Sequence, residues 1–130
     1  MPARLQQEIE REMERRGITE WSAAVVELLD EAIRMRRAPG VVFVDGPRGR
    51  RAVVAGTGVD VWEIVASWRE VGEDYRRLRA AYEWMAEPQL RAALSYYEFY
   101  PEEVDARIAL EERWTQERVQ RELPFTTPRP

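Results

Sequence analysis

Leu5, Ile9 and Met13 recur every fourth residue between runs of glutamine, glutamate and arginine, the spacing of one face of a helix. Gly17 ends that helix as a left-handed cap would, and Thr19 can cap the next one, with Ser22 in its first turn. In the second helix Val25, Val26, Leu28, Leu29 and Ile33 make a broader apolar stripe, closed by the turn Arg34–Arg37 and by Ala38-Pro39-Gly40. Two amphipathic helices of this size cannot bury both stripes alone; the rest of the chain or a second copy must cover them. The period then shortens. Val41–Val44 and Ala52–Ala55 are β-branched runs around the turn-forming Asp45-Gly46-Pro47-Arg48-Gly49-Arg50, which predicts a β-hairpin with an arginine-bearing tip. Helical spacing returns from Val59 to Val71, Tyr75 to Met85 (with Asp74 as cap), Pro88 to Phe99, and from Pro101 toward Glu122. Three prolines keep Leu123 to Pro130 extended.

The expected organisation is therefore a mainly α protein with four parts. Residues 1–40 form a helical pair, 41–56 the hairpin, 57–122 a helical domain, and 123–130 a tail. Extending the first helix backwards, Pro2 to Leu5 reads as a short extended start.

Composition narrows the function. All 20 basic residues are arginine; histidine and cysteine are absent, and so is lysine. That removes the commonest general bases and nucleophiles, all thiolate metal ligands and disulfides, so no enzyme, cofactor or metal is expected. The acid pairs Glu102/Glu103 and Glu111/Glu112 lie beside arginines without a convergent ligand pattern. The longest apolar runs fall well short of a membrane span, so a cytoplasmic protein without membrane association is expected. A net charge of −4 argues against indiscriminate coating of nucleic acid. The one basic island is the hairpin, where Arg48, Arg50 and Arg51 stand against Asp45 alone within residues 41–58.

The segment GVVFVDGPRGRRAVVAGTGVDVWEIV, a short helix, and EPQLRAALSYYEFYPEEVDARI together resemble the domain-of-unknown-function 433 family over residues 40–110, most tellingly in RAALSYYEFYPEEVDA. Where many members carry Gly-Thr-Arg-Ile/Val-Pro-Val, this chain has Gly56-Thr57-Gly58-Val59-Asp60-Val61, without the arginine or the proline. The resemblance implies a homeodomain-like three-helix (helix-turn-helix) domain associated with VapB-type antitoxins, which are often encoded beside PIN-like ribonuclease toxins. ARLQQEIEREMERRGITEWSAAVVELLDEAI is similar to ribbon-helix-helix proteins, whose paired first strands enter the major groove.

These readings lead to an antitoxin-like transcriptional autoregulator: a homodimer or higher even oligomer that binds operator DNA and neutralises a PIN-like ribonuclease toxin. Candidate DNA contacts are Arg4 in the ribbon, Thr19 and Ser22 at the second helix, Arg48, Arg50 and Arg51 in the hairpin, and Gln89, Arg91 and Ser95 on the Pro88–Phe99 helix. Leu123, Phe125 and Arg129 of the tail are candidate toxin contacts. The alternative is a homo-oligomeric helical scaffold or adaptor without nucleic-acid binding, favoured by the net acidity and by Glu87 and Glu98 flanking the candidate reading helix.

Overall fold

A computed structural model describes residues 1–122. Along the chain lie α1 (Ala3–Arg16), α2 (Trp21–Arg37), β1 (Val41–Gly46), β2 (Gly49–Val54), α3 (Val61–Glu70), α4 (Tyr75–Ala81), α5 (Glu87–Phe99) and α6 (Pro101–Glu122). The mainly helical class and the hairpin after two amino-terminal helices are as the sequence indicates. No helix among the described residues is long and apolar enough to cross a membrane. The candidate toxin contacts Leu123, Phe125 and Arg129 lie outside the described residues.

Several local expectations are corrected. The extended start is absent: Ala3 is already helical, Pro2 is the N-cap, and its carbonyl accepts from the Gln6 amide at 3.0 Å. Ala-Arg-Leu-Gln-Gln-Glu is a run of strong helix formers, and proline's fixed φ suits the residue that opens the helix. Thr19 does not cap α2. The N-cap is Glu20, with no side-chain cap, so the Thr19 hydroxyl stands one residue too early to reach the first orphan amides. Gly17 does close α1 in the left-handed region, at φ 71°. Val59 and Asp60 are extended rather than helical, because they pair back on β2 through Val53↔Asp60 and through the Val54 amide to the Val59 carbonyl at 2.9 Å. α4 ends at Ala81, four residues short of Met85. Asp74 caps it as expected, accepting from the Arg76 and Arg77 amides at 3.0 and 3.3 Å. α5 begins one residue before Pro88.

The hairpin is antiparallel from Val41↔Val54 to Gly46↔Gly49, so only Pro47 and Arg48 form its tip, and Arg50 and Arg51 are strand residues. α5 is the centre of the fold, packed against α2, both strands, α3 and α6. Its Leu90, Ala93 and Tyr96 are buried among Val41, Val54, Val61, Ile64, Val65, Leu78, Met85, Val104 and Ile108. Gly40 makes the approach of β1 to α5 possible: its φ is 100°, and a Cβ there would lie 3.0 Å from that of Ala92.

In α2 the rest of the chain does not cover the outer part of the apolar stripe. Its buried residues are Ala24 and Glu31, whereas Val26, Leu29 and Ile33 are 66%, 57% and 51% exposed. Val26, Leu29 and Ile33 of the stripe face water, Val25 and Leu28 are half-buried, and a carboxylate faces in.

Candidate functional site

The inward carboxylate belongs to a charged cluster that joins α1, α2 and the hairpin. Glu31, 7% exposed, accepts from Arg50 Nε and Nη2 at 3.0 and 2.6 Å and from Arg16 Nη1 and Nη2 at 2.8 and 3.3 Å. Arg16 also reaches Glu27 at 2.8 Å and Glu12 at 3.0 Å, and its side chain is only 6% exposed. Arg50 continues to Asp45 at 2.8 Å and to the Phe43 carbonyl at 3.2 Å, and Arg15 pairs with the same Asp45. Burial by itself raises the Glu31 carboxyl, but the hydrogen bonds from Arg50 and Arg16 outweigh it and hold the group below the ordinary carboxylate range.

Beside this cluster lies a groove of about 510 Å³ between α2, the hairpin, the start of α3, α5 and α6. Phe43, Ala52, Val61, Trp62, Val104 and Leu110 supply its apolar surface, and Glu27, Asp30, Glu31, Arg34, Arg50, Arg51, Asp60, Glu103 and Arg107 its polar one. Every arginine here is engaged. Arg34 donates to Asp30 at 2.9 Å, to Glu103 at 2.7 Å and to the Tyr96 hydroxyl at 2.9 Å, and lies over the Tyr100 ring. Arg107 donates to Glu111 at 2.9 Å. Arg51 lies 3.0 Å from Asp60 Oδ1, while Asp60 Oδ2 accepts from Trp62 Nε1 at 3.0 Å. The Arg51–Asp60 contact is close but misaligned for a hydrogen bond, and both Asp60 Oδ1 and Arg51 Nε are buried without one. Tyr96 donates to Glu103 at 2.5 Å; burial and that carboxylate push its hydroxyl well above the ordinary tyrosine range. Among the described residues no three acidic side chains converge as metal ligands.

The residues singled out in the sequence fall in different places. Arg50 and Arg51 meet in the groove. Arg4 is exposed on α1, 3.8 Å from Glu8. Thr19 and Ser22 are exposed at the start of α2. Arg48, at the hairpin tip, pairs with Glu111 at 2.9 Å and lies over the Trp114 ring. Gln89 accepts from the Ala86 amide at 2.9 Å and donates to the Ala55 carbonyl at 3.4 Å, so it fastens the start of α5 to the turn after β2. Arg91 pairs with Glu87 at 2.9 Å over the Tyr75 ring. Ser95 is half-buried in a smaller hollow beside Trp68 and Tyr97. Arg4, Arg48 and Arg91 have no partner in common.

Sequence reading missed Arg16, Glu31, Arg34, Tyr96 and Glu103. A signal for them exists: Ala24, Glu27, Glu31 and Arg34 are spaced three and four apart on the side of α2 opposite the apolar stripe. A small residue in line with acids and an arginine is what a helix shows when it packs through ion pairs.

Residues 42–97, from β1 through most of α5, match the family described as Protein of unknown function (DUF433). The groove straddles its limits: Phe43, Arg50, Arg51, Trp62 and Tyr96 lie inside the match, and Glu31, Arg34 and Glu103 outside it. Among solved structures, a DUF433 member protein from Anabaena variabilis ATCC 29413 is similar, with 28% identity over 84% of this chain and 99% of that chain and a TM-score of 0.46. No curated protein matches.

Proposed function

We propose that the protein is a non-catalytic, protein-binding regulator of the antitoxin type, a helical adaptor whose groove beside α2 holds a segment of a protein partner. The observation that carries this reading is the make-up of the groove. It is concave, with an apolar floor under a rim of charges that already neutralise one another. Such a surface suits an apolar side chain flanked by polar groups, since the floor gains from losing water and the fixed rim sets orientation. Phosphate recognition asks for something else, namely arginines with free forks. Arg48, Arg50, Arg51 and Arg91 are engaged with acids, so the DNA-reading part of the sequence expectation draws no support from this geometry. The PIN-like ribonuclease toxin implied by the family resemblance is a partner of the required kind.

Co-expression with the product of the adjacent reading frame tests the reading. The expected result is a complex that suppresses the partner's toxicity. Ala106→Arg, at an exposed groove position on α6 where arginine preserves the helix, weakens it at least tenfold with unchanged circular dichroism. Failure of the wild-type chain to bind or to protect, or indifference of the complex to Ala106→Arg, overturns it. Steeply salt-dependent retardation of the upstream DNA returns the function to a DNA reader.

A further inference from the structure

We propose that the outward face of α2 seats a second copy of this chain, the two helices running antiparallel about a two-fold axis beside Leu29. This goes beyond the groove reading, because Glu27, Glu31 and Arg34 turn to the groove while Val26, Leu29 and Ile33 turn away from it. Single exposed aliphatic residues are ordinary. Three in a row at helical spacing, each more than half exposed along a helix of 17 residues, form a continuous strip that water disfavours.

Three features of α2 itself identify the occupant as another copy. A two-fold interface must be complementary to itself. The strip meets that demand, since β-branched Val26 and Ile33 flank Leu29; reversing the helix sets Val26 against Ile33 of the second copy and Leu29 beside its counterpart. Side-chain size is complementary as well. Ser22 and Ala23 occupy the first turn and Arg36 and Arg37 the last, so reversal lays long side chains over small ones. Charge completes the match. Among the described residues Glu20, Arg36 and Arg37 make no ion pair, and antiparallel pairing brings Arg36 and Arg37 at the end of each helix toward the single carboxylate of Glu20 at the start of the other. A parallel pair would set arginine against arginine. The strip is smaller than a standard interface of about 800 Å² per partner, so the pairing is reversible and concentration-dependent.

The test uses the full chain, which has no cysteine of its own. Sedimentation across the micromolar range is expected to show a monomer–dimer equilibrium, and Leu29→Asp to raise the dissociation constant at least tenfold with helix content unchanged. Under mild oxidation Leu29→Cys is expected to cross-link to itself. Val26→Cys should cross-link poorly to itself and readily when mixed with Ile33→Cys, which reports the register. A folded monomer throughout, a dimer indifferent to Leu29→Asp, or self-linking of Val26→Cys as fast as the mixed pair overturns the proposal. Ala106→Arg leaves the dimer intact and Leu29→Asp leaves the groove intact, so failure here is distinct from failure of the groove reading.

Discussion

Replacing Glu31 by glutamine keeps the volume of the side chain and removes its charge. The two carboxylate oxygens accept four hydrogen bonds from Arg16 and Arg50, at 2.6 to 3.3 Å. Glutamine offers one oxygen with two lone pairs, and its amide nitrogen turns a donor toward N–H groups that are donors themselves. Two charge-assisted bonds are lost, each worth about 1.5–3 kcal/mol. Offsetting this, no carboxylate has to leave water, Arg16 keeps Glu12 and Glu27, and Arg50 keeps Asp45. We expect a net destabilisation of about 3 kcal/mol, the lower end of what breaking a buried ion pair costs. Urea unfolding of Glu31→Gln should show a lower midpoint at an unchanged slope. A loss under about 1 kcal/mol, the range of exposed pairs, would refute the claim that this carboxylate is held in a dry site. The pH dependence supplies a second check. Because Glu31 titrates below its ordinary range when folded, its contribution is complete above that range and fades as pH falls through the lowered value. The gap between wild type and variant should therefore be constant near neutrality and close in acid.

Two further expectations concern the body of the fold. Asp74→Ala removes the cap from the Arg76 and Arg77 amides and should cost about 1 kcal/mol by thermal or urea unfolding; an unchanged midpoint would mean water serves those amides equally well. Gly40→Ala should cost about 1–3 kcal/mol, combining an unfavourable φ with the contact to Ala92. Adding Ala92→Gly relieves the contact and leaves the backbone share, so full recovery in the double variant would show that the φ of 100° carries no penalty.

The elements that can be read from the sequence are those whose signal is local. The four-residue spacing of α1, the Asp74 cap, and the β-branched runs around Asp45–Arg50 all announce themselves within a few residues, and the structure has them. The errors arise where a distant element decides. Val59 and Asp60 carry apolar and capping character suited to a helix start, but β2 captures them as extended chain. In α2 the stripe Val25, Val26, Leu28, Leu29 and Ile33 asks for a cover from the rest of the chain or from a second copy, and periodicity cannot choose between them, because it reports which residues share a side and not what covers it. Arg16 and Arg50, one before α2 and one after it, turn Glu31 inward, and their separation in sequence hides that pairing. The candidate site was accordingly half legible. Arg50 and Arg51 stand out in the sequence as a basic island beside Asp45, while the other acids that neutralise them come from α2 and from the residue before α3.

The way α1 is attached has a mechanical consequence. α1 adds no residue to the main core cluster; it packs on α2 with Ile9 as its buried residue, and it is tied to α2 by Arg16 and to the hairpin by Arg15. Apolar packing holds the body together and tolerates salt, whereas the half-exposed Arg15–Asp45 pair is screened by it, and the buried Arg16–Glu31 pair gives way only in acid strong enough to protonate a carboxyl held below its ordinary range. The molecule thus has a seam where solution conditions can act selectively, peeling its first helix away while the β-hairpin and the helices around α5 remain folded.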